Sequence, residues 1–181
     1  MTLAARWPKP RTILEHYQRS LEALSALSKS LRVSATSESR FYLMTQEEID
    51  SAITKMSLEL DQEVVLLLTA SFEAEFQADF HDRVSRKRKD RVSREFRRIL
   101  GDQRGRRQGA KRVAFKQILE VWGKHEGHVR AIGNLKQLIQ FRHWLAHGRY
   151  WVQKSGLRNS DPFDAWQRGK AVLHMLLGVE L

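Results

Sequence analysis

The sequence predicts an all-α protein, built as an antiparallel bundle of about five to six helices. Apolar residues recur at spacings of three and four over long stretches, as they do along one face of a helix. The chain has only 3 prolines and 10 glycines in 181 residues, so helices can run without interruption. Alternating apolar and polar residues, the pattern of a strand, are rare by comparison.

The first two helices are predicted from this periodicity and from their start signals. The first covers residues 11–32, with Pro10 just before it or in its first turn. After a loop rich in serine and threonine, Thr45 and Glu48 have the spacing of a capping box. A second helix is predicted for residues 46–86. Because forty residues span about 60 Å, we expect a break or bend in it.

Glycines mark the predicted ends of the third and fourth helices. The third helix covers residues 90–100 and is expected to end at Gly101. A basic loop would then follow. The fourth helix covers residues 111–122, and Gly123 is a plausible terminator. Both helices should therefore be short.

The fifth helix is predicted for residues 128–147, and the last begins with Asp161 as its N-cap and Pro162 in its first turn. We interpret the chain as a single domain overall. Residues 1–40 would form an N-terminal helix and linker, and residues 41–181 a helical bundle with a basic insertion around 83–112.

The charge of the chain favours a polyanionic partner. The formal net charge is +11, and residues 83–112 hold fourteen lysines and arginines against three acidic residues. A solvated charged face is one alternative, and an acidic partner or a membrane surface is another. The mutual repulsion of so many cations nevertheless favours nucleic acid, with RNA or DNA as candidates.

The composition also indicates where in the cell the protein is expected and which partners are not expected. The longest apolar run, residues 64–68, is far shorter than a membrane span, so we expect no membrane partner. The chain has no cysteine, which excludes disulfides and agrees with a cytoplasmic location. We predict neither a cofactor nor a metal.

An arginine interrupts the apolar stripe of the fifth helix. The stripe runs through Leu135, Leu138 and Ile139 and leads, three or four residues later, to Arg142. A buried guanidinium without a partner costs several kcal/mol, so an acidic residue, a water-lined cleft or an anionic ligand must lie there. This inconsistency between pattern and residue is typical of a functional site.

Two histidines follow this arginine. His143 and His147 are four residues apart and therefore lie one above the other on a helix. Just past the helix end, Arg149, Tyr150 and Trp151 add a cation, a phenol and a stacking surface. Arg142, His143 and His147 can line one concave edge.

Arg142, His143 and His147 can each have a structural or metal-binding role in place of the functional one. Arg142 can form an ion pair with an acidic residue of the second helix, Glu73, Glu75 or Asp79. His147 can stabilise the end of its helix through the helix dipole. His143 and His147 can also form a metal pair, although no third ligand at a standard spacing is nearby.

The segment FRHWLAHG, residues 141–148, resembles the Arg-x4-His signature of HEPN domains, in particular the RiboL-PSP-like subgroup. The upstream segment ASFEAEF, residues 70–76, is similar to the early core helix of that family, where an aromatic and acidic cluster faces the motif. The resemblance covers roughly residues 46–177, and the hexapeptide from Arg142 to His147 is its specific part.

The resemblance implies metal-independent cleavage of RNA at a site where two copies of the motif meet across a homodimer. By this resemblance Arg142 would hold the scissile phosphate, His147 would transfer protons and His143 would orient the site. Some relatives have a tyrosine two residues after the histidine. Here Tyr150 comes three residues after it, so the same role is not assigned to it.

Other side chains are assigned supporting roles. Glu73 is expected to position the arginine of the motif. The remaining predicted substrate-binding residues come from the region after the motif and from the basic insertion; they are Arg149, Tyr150, Trp151, Arg94, Arg98, Arg106 and Arg107.

Three hypotheses about function remain open at this point. The first is a homodimeric ribonuclease in phage defence or a toxin–antitoxin context, where an antitoxin protein would be a further partner. The second is a non-catalytic RNA-binding or partner-binding HEPN module that keeps the motif as a phosphate grip. The third is a structural dimerisation bundle.

Overall fold

The computed structural model describes residues 7–33, 39–106, 113–126, 129–147 and 161–180. Within these ranges the chain forms six α-helices and no strand, which confirms the all-α prediction. The helices are α1 (Pro10–Val33), α2 (Gln46–Ser85), α3 (Arg91–Arg106), α4 (Phe115–Glu126), α5 (Val129–Ala146) and α6 (Pro162–Leu177).

Helices α1 and α2 lie side by side and antiparallel. Polar contacts between them join early residues of one helix to late residues of the other, and the start of α1 lies beside the second half of α2. These contacts are Lys9 to Glu75 at 2.7 Å, Tyr17 to Asp61 at 2.7 Å and Arg32 to Asp50 at 3.2 Å.

The start of α2 agrees with the prediction, whereas its length does not require an interruption. The hydroxyl of Thr45 accepts a hydrogen bond from the backbone N–H of Glu48, and the Glu48 carboxylate accepts one from the backbone N–H of Thr45. The helix then runs unbroken for 40 residues. The expected break does not occur, because residues 46–85 contain neither proline nor glycine, and the alternative of a bend stays a prediction.

The two predicted glycine stops are also wrong. Helix α3 passes Gly101 and ends at Arg106, and an ion pair of 3.3 Å between Arg98 and Asp102 spans the glycine. Helix α4 passes Gly123 in the same way. A Cβ atom built at Gly123 would lie 3.4 Å from the Ile132 side chain, an ordinary van der Waals contact, so α4 packs against α5 at this point.

The remaining helix starts depend on local caps. Helix α4 begins at Phe115 and not at residue 111, and the N–H of Ala114 donates to the side-chain oxygen of Gln117 at 3.1 Å. At α6, Asp161 caps the helix by accepting from the Phe163 N–H at 3.0 Å, as predicted.

A single large core surrounds the second half of α2. Phe72 and Phe76 are fully buried there and pack among apolar residues from all the other helices, including Ile13 and Tyr17 of α1. The ring of Phe72 lies directly against Gly169 of α6. A smaller apolar cluster closes the other end of the α1–α2 pair.

Arg83 connects three helices at the end of α2. Its guanidinium pairs with Asp79 on α2 at 2.8 Å and with Asp90, just before α3, at 3.3 Å. It also lies over the ring of Trp122 on α4, 4.8 Å from the centroid. Burial raises the pKa of Asp79 above its usual range, and Arg83 opposes this shift only in part.

Candidate functional site

Helix α5 presents its predicted apolar stripe to the core. Leu135 and Leu138 are fully buried, and Phe141 is nearly so. Trp144, on the next turn, stacks on Phe141 with 5.6 Å between ring centroids. These contacts fix the rotation of α5 and therefore the direction in which each residue of the motif points.

Arg142 is half-buried, and its Nε atom is completely buried. Among the described residues this Nε has no hydrogen-bond partner. Such an atom carries a desolvation cost, because it has lost water and gained no acceptor in return. Because the Nε is shielded from solvent, an acceptor from outside reaches it only when the side chain moves, and the indole Nε1 of Trp122 is buried without a described partner in the same way.

The acidic residues considered as partners of Arg142 are otherwise placed. Glu75 pairs with Lys9, and Asp79 pairs with Arg83. In the part of the chain that the structure describes, neither an ion pair nor a hydrogen bond joins Glu73 to Arg142. Glu73 therefore lies on α2 without the contact that was expected of it.

The two imidazoles of the motif are exposed. Their rings are parallel within 3°, and their centroids are 5.8 Å apart. The N–H of His147 donates to the carbonyl of His143 at 3.0 Å, so helical geometry extends one residue past the end of α5. Both rings can therefore exchange protons with solvent or with a ligand.

Arg142 and His147 point in different directions from the helix. At 100° per residue, five residues place them about 140° apart around the axis. Arg142 faces partly inward, whereas His147 faces outward. For both groups to contact one phosphodiester, either the long arginine side chain reaches around the helix end or a second copy supplies one of the two.

A small surface cavity lies beside the end of α5. Its volume is about 180 Å³, and it is lined by Leu145 together with Glu59, Gln62, Glu63 and Leu66 of α2. Sequence reasoning missed the two glutamates, because their position beside the motif depends on the register between α2 and α5. They are exposed, and they give the motif an acidic border.

The predicted cations of α3 have different surroundings. Arg94 is exposed and has no ion pair among the described residues. Arg98 binds Glu95 at 2.7 Å and Asp102 at 3.3 Å, so its charge is balanced within α3. Of these two predicted substrate-binding residues, Arg98 is therefore the one whose charge carboxylates already balance.

Several predicted site residues lie outside the described residues: Arg107, Arg149, Tyr150 and Trp151. Arg106 is the last residue of α3, and its side chain is outside them as well. In the described part of the chain, no group of three or more potential metal ligands occurs. Nor does that part contain a helix with the length and apolar character needed to cross a membrane.

Comparison with protein families, with curated proteins and with solved structures finds nothing that matches this chain.

Proposed function

We propose that the protein is a metal-independent endoribonuclease of the HEPN type. The observation that carries the proposal is the buried Nε of Arg142, which has no partner among the described residues and lies in the same hexapeptide as two exposed imidazoles. A phosphate would supply the acceptor that the Arg142 Nε lacks once this side chain turns toward solvent, and the exposed imidazoles would transfer protons. The resemblance of residues 141–148 to the Arg-x4-His signature points to the same chemistry.

In the proposed reaction, an imidazole removes the proton of a ribose 2′-OH as that oxygen attacks the adjacent phosphorus. The bond to the 5′-oxygen breaks, and this oxygen takes up a proton as it leaves. The products are a 2′,3′-cyclic phosphate and a 5′-hydroxyl end. Arg142 would stabilise the charge that gathers on the phosphate oxygens.

A homodimer would complete the site. Since Arg142 and His147 are about 140° apart on α5, two copies of the helix end that face each other would bring the arginine of one chain near the histidine of the other. A role in phage defence or as a toxin restrained by an antitoxin protein follows from the family resemblance alone.

The test is cleavage of labelled RNA in EDTA by the wild type and by the Arg142→Ala and His147→Ala variants. Arg130→Ala and His174→Ala are matched controls, because Arg130 is an exposed arginine of α5 and His174 is an exposed histidine in the last turn of α6. We expect cyclic phosphate ends from the wild type and both controls. Cleavage should fall by at least about 100-fold in the two motif variants.

Uncleaved RNA with the wild type would refute the nuclease proposal. Equal activity of the His147→Ala and His174→Ala variants would mean that His147 has no catalytic role and only stabilises the end of its helix. Cleavage of DNA at a comparable rate would contradict the mechanism, because DNA lacks the attacking 2′-OH.

The exposed cations at the start of α3 favour one second candidate, a non-catalytic RNA-binding module. In that case the motif would hold a phosphate without cleaving it. Binding of RNA that weakens steeply with salt, without any product, would support this candidate over the first.

A further inference from the structure

The turn between α2 and α3 contains a lysine in a conformation that favours glycine. Lys87 has a φ of 50°, in the left-handed region. Its N–H donates to the Val84 carbonyl at 3.2 Å, and the N–H of Arg88 donates to the Arg83 carbonyl at 3.3 Å. This pair of bonds is the Schellman ending of a helix, in which glycine usually occupies the position of Lys87. A lysine there is disfavoured by its Cβ atom.

The carboxylates around this turn are already used by neighbouring arginines. As a result, four exposed cations have no ion pair among the described residues: Lys87, Lys89, Arg91 and Arg94. We call these four residues the basic turn. The carboxylates and their partners are Asp79 and Asp90 with Arg83, Asp82 with Arg86 and Arg88, and Glu95 and Asp102 with Arg98.

We propose that the basic turn is a binding site for the phosphate backbone of RNA, separate from the motif on α5. Arg91 and Arg94 are three residues apart and share one face of α3, and the two exposed lysines precede them in the turn. Concentrated, exposed charge that no carboxylate balances attracts a polyanion and gains free energy from counterion release. The identity of the ligand as RNA rests on the proposed function.

The basic turn is distant from the motif within one chain. Leu145 lies beside Leu66 of α2, and the turn begins after Ser85. Twenty residues of helix separate Leu66 from Arg86, which corresponds to about 30 Å. The two sites can therefore be removed independently.

The first test measures binding of a labelled single-stranded RNA over a series of salt concentrations, in a His147→Ala background that prevents cleavage. Arg94→Ala should lower the slope of log K against log salt by about 0.7, the loss of one phosphate contact. Arg86→Ala is the matched control. This variant also removes one positive charge, from a residue that borders the basic turn. Because Arg86 already pairs with Asp82 at 2.7 Å, the slope of log K against log salt should match that of the parent protein.

The second test separates binding from folding at Lys87. Lys87→Gly relieves the left-handed strain, so the melting temperature should rise by about 2–4 °C. The salt slope should fall by about 0.7 in the same protein. Lys89→Ala should weaken binding to a similar extent without raising the melting temperature.

Two outcomes would overturn the proposal. If Arg86→Ala and Arg94→Ala weaken binding equally, only the total charge matters and the turn is not a site. If vesicles of anionic phospholipid bind through the basic turn and RNA does not, the ligand is a different one. If the wild type binds RNA through the basic turn and does not cleave it, the nuclease proposal is refuted and the proposal for the basic turn is not. The two proposals can therefore fail separately.

Discussion

Gly169 is the residue that allows α6 to pack against α2. A Cβ atom built at this position would lie 2.0 Å from a ring carbon of Phe72, which is fully buried. Interiors are packed too closely for such a ring to move aside freely. The close contact of these two helices therefore depends on a missing side chain.

We expect Gly169→Ala to destabilise the protein by about 1–3 kcal/mol, as overpacking does. Gly101→Ala is the matched control, because nothing lies within 4 Å of a Cβ at Gly101 in α3. That variant should gain up to about 1 kcal/mol from helix propensity. Urea denaturation measures both. A Gly169→Ala variant as stable as the wild type would show that Phe72 has an alternative position.

Replacing Arg142 should raise the stability of the protein and abolish its activity. Its buried Nε has no partner among the described residues, so Arg142→Met replaces an unsatisfied polar group with an apolar chain of similar reach. We expect the free energy of unfolding to rise by about 1 kcal/mol, while RNA cleavage is lost. The check is urea denaturation beside the cleavage assay. Marked destabilisation would instead mean that Arg142 has a structural partner.

At the scale of elements, helix starts were easier to predict than helix ends. The caps Thr45 and Asp161 act within three residues of themselves, so their signal is local and both were found. The glycine stops failed, because a glycine ends a helix only where the chain adopts a left-handed conformation. At Gly101 the helix continues, with an exposed ion pair between Arg98 and Asp102 across the glycine, and at the end of α2 a lysine takes the place of glycine.

Only the part of the candidate site that lies on α5 could be predicted from the sequence. The stripe of α5 predicted that Arg142 continues the core face or an interface, and in the structure this residue is half-buried. Its expected partner Glu73 depended on the register between α2 and α5, which no local pattern encodes. The acidic border of Glu59 and Glu63 was missed for the same reason.

The capping box at the start of α2 should make stability depend on pH. Hydrogen bonds from Thr45 lower the pKa of Glu48. A lowered pKa means that the folded state favours the carboxylate, so this stabilisation is present above the ordinary glutamate pKa. It is lost as the pH falls through the lowered value.

Thr45→Ala should cost about 1 kcal/mol at neutral pH through the loss of the N-cap. Its deficit should shrink in acid by the part that comes from the Thr45 hydroxyl, because alanine keeps the backbone N–H that also binds Glu48. Thermal unfolding from pH 7 to pH 3 measures this. Thr54→Ala is the control, because Thr54 donates to the Asp50 carbonyl within α2 and contacts no carboxylate. If the two deficits changed with pH in parallel, the capping box would not be the cause.

At the scale of the whole molecule, α2 separates the two proposed RNA-binding regions. The motif lies beside the middle of this helix, and the basic turn lies at its end. At about 3.4 Å per stacked nucleotide, the separation of about 30 Å corresponds to about nine nucleotides. A short RNA can occupy one region within a chain, whereas a longer one can occupy both.

The contribution of the basic turn to cleavage should therefore depend on the length of the RNA. For a substrate of about 20 nucleotides, Arg94→Ala should lower kcat/KM about fivefold, equivalent to about 1 kcal/mol. For a substrate of about five nucleotides it should change nothing, because the RNA does not reach the turn. Arg86→Ala should leave both rates unchanged. An equal loss at both lengths would mean that the basic turn lies at the cleavage site, and only a second copy of the chain can place it there.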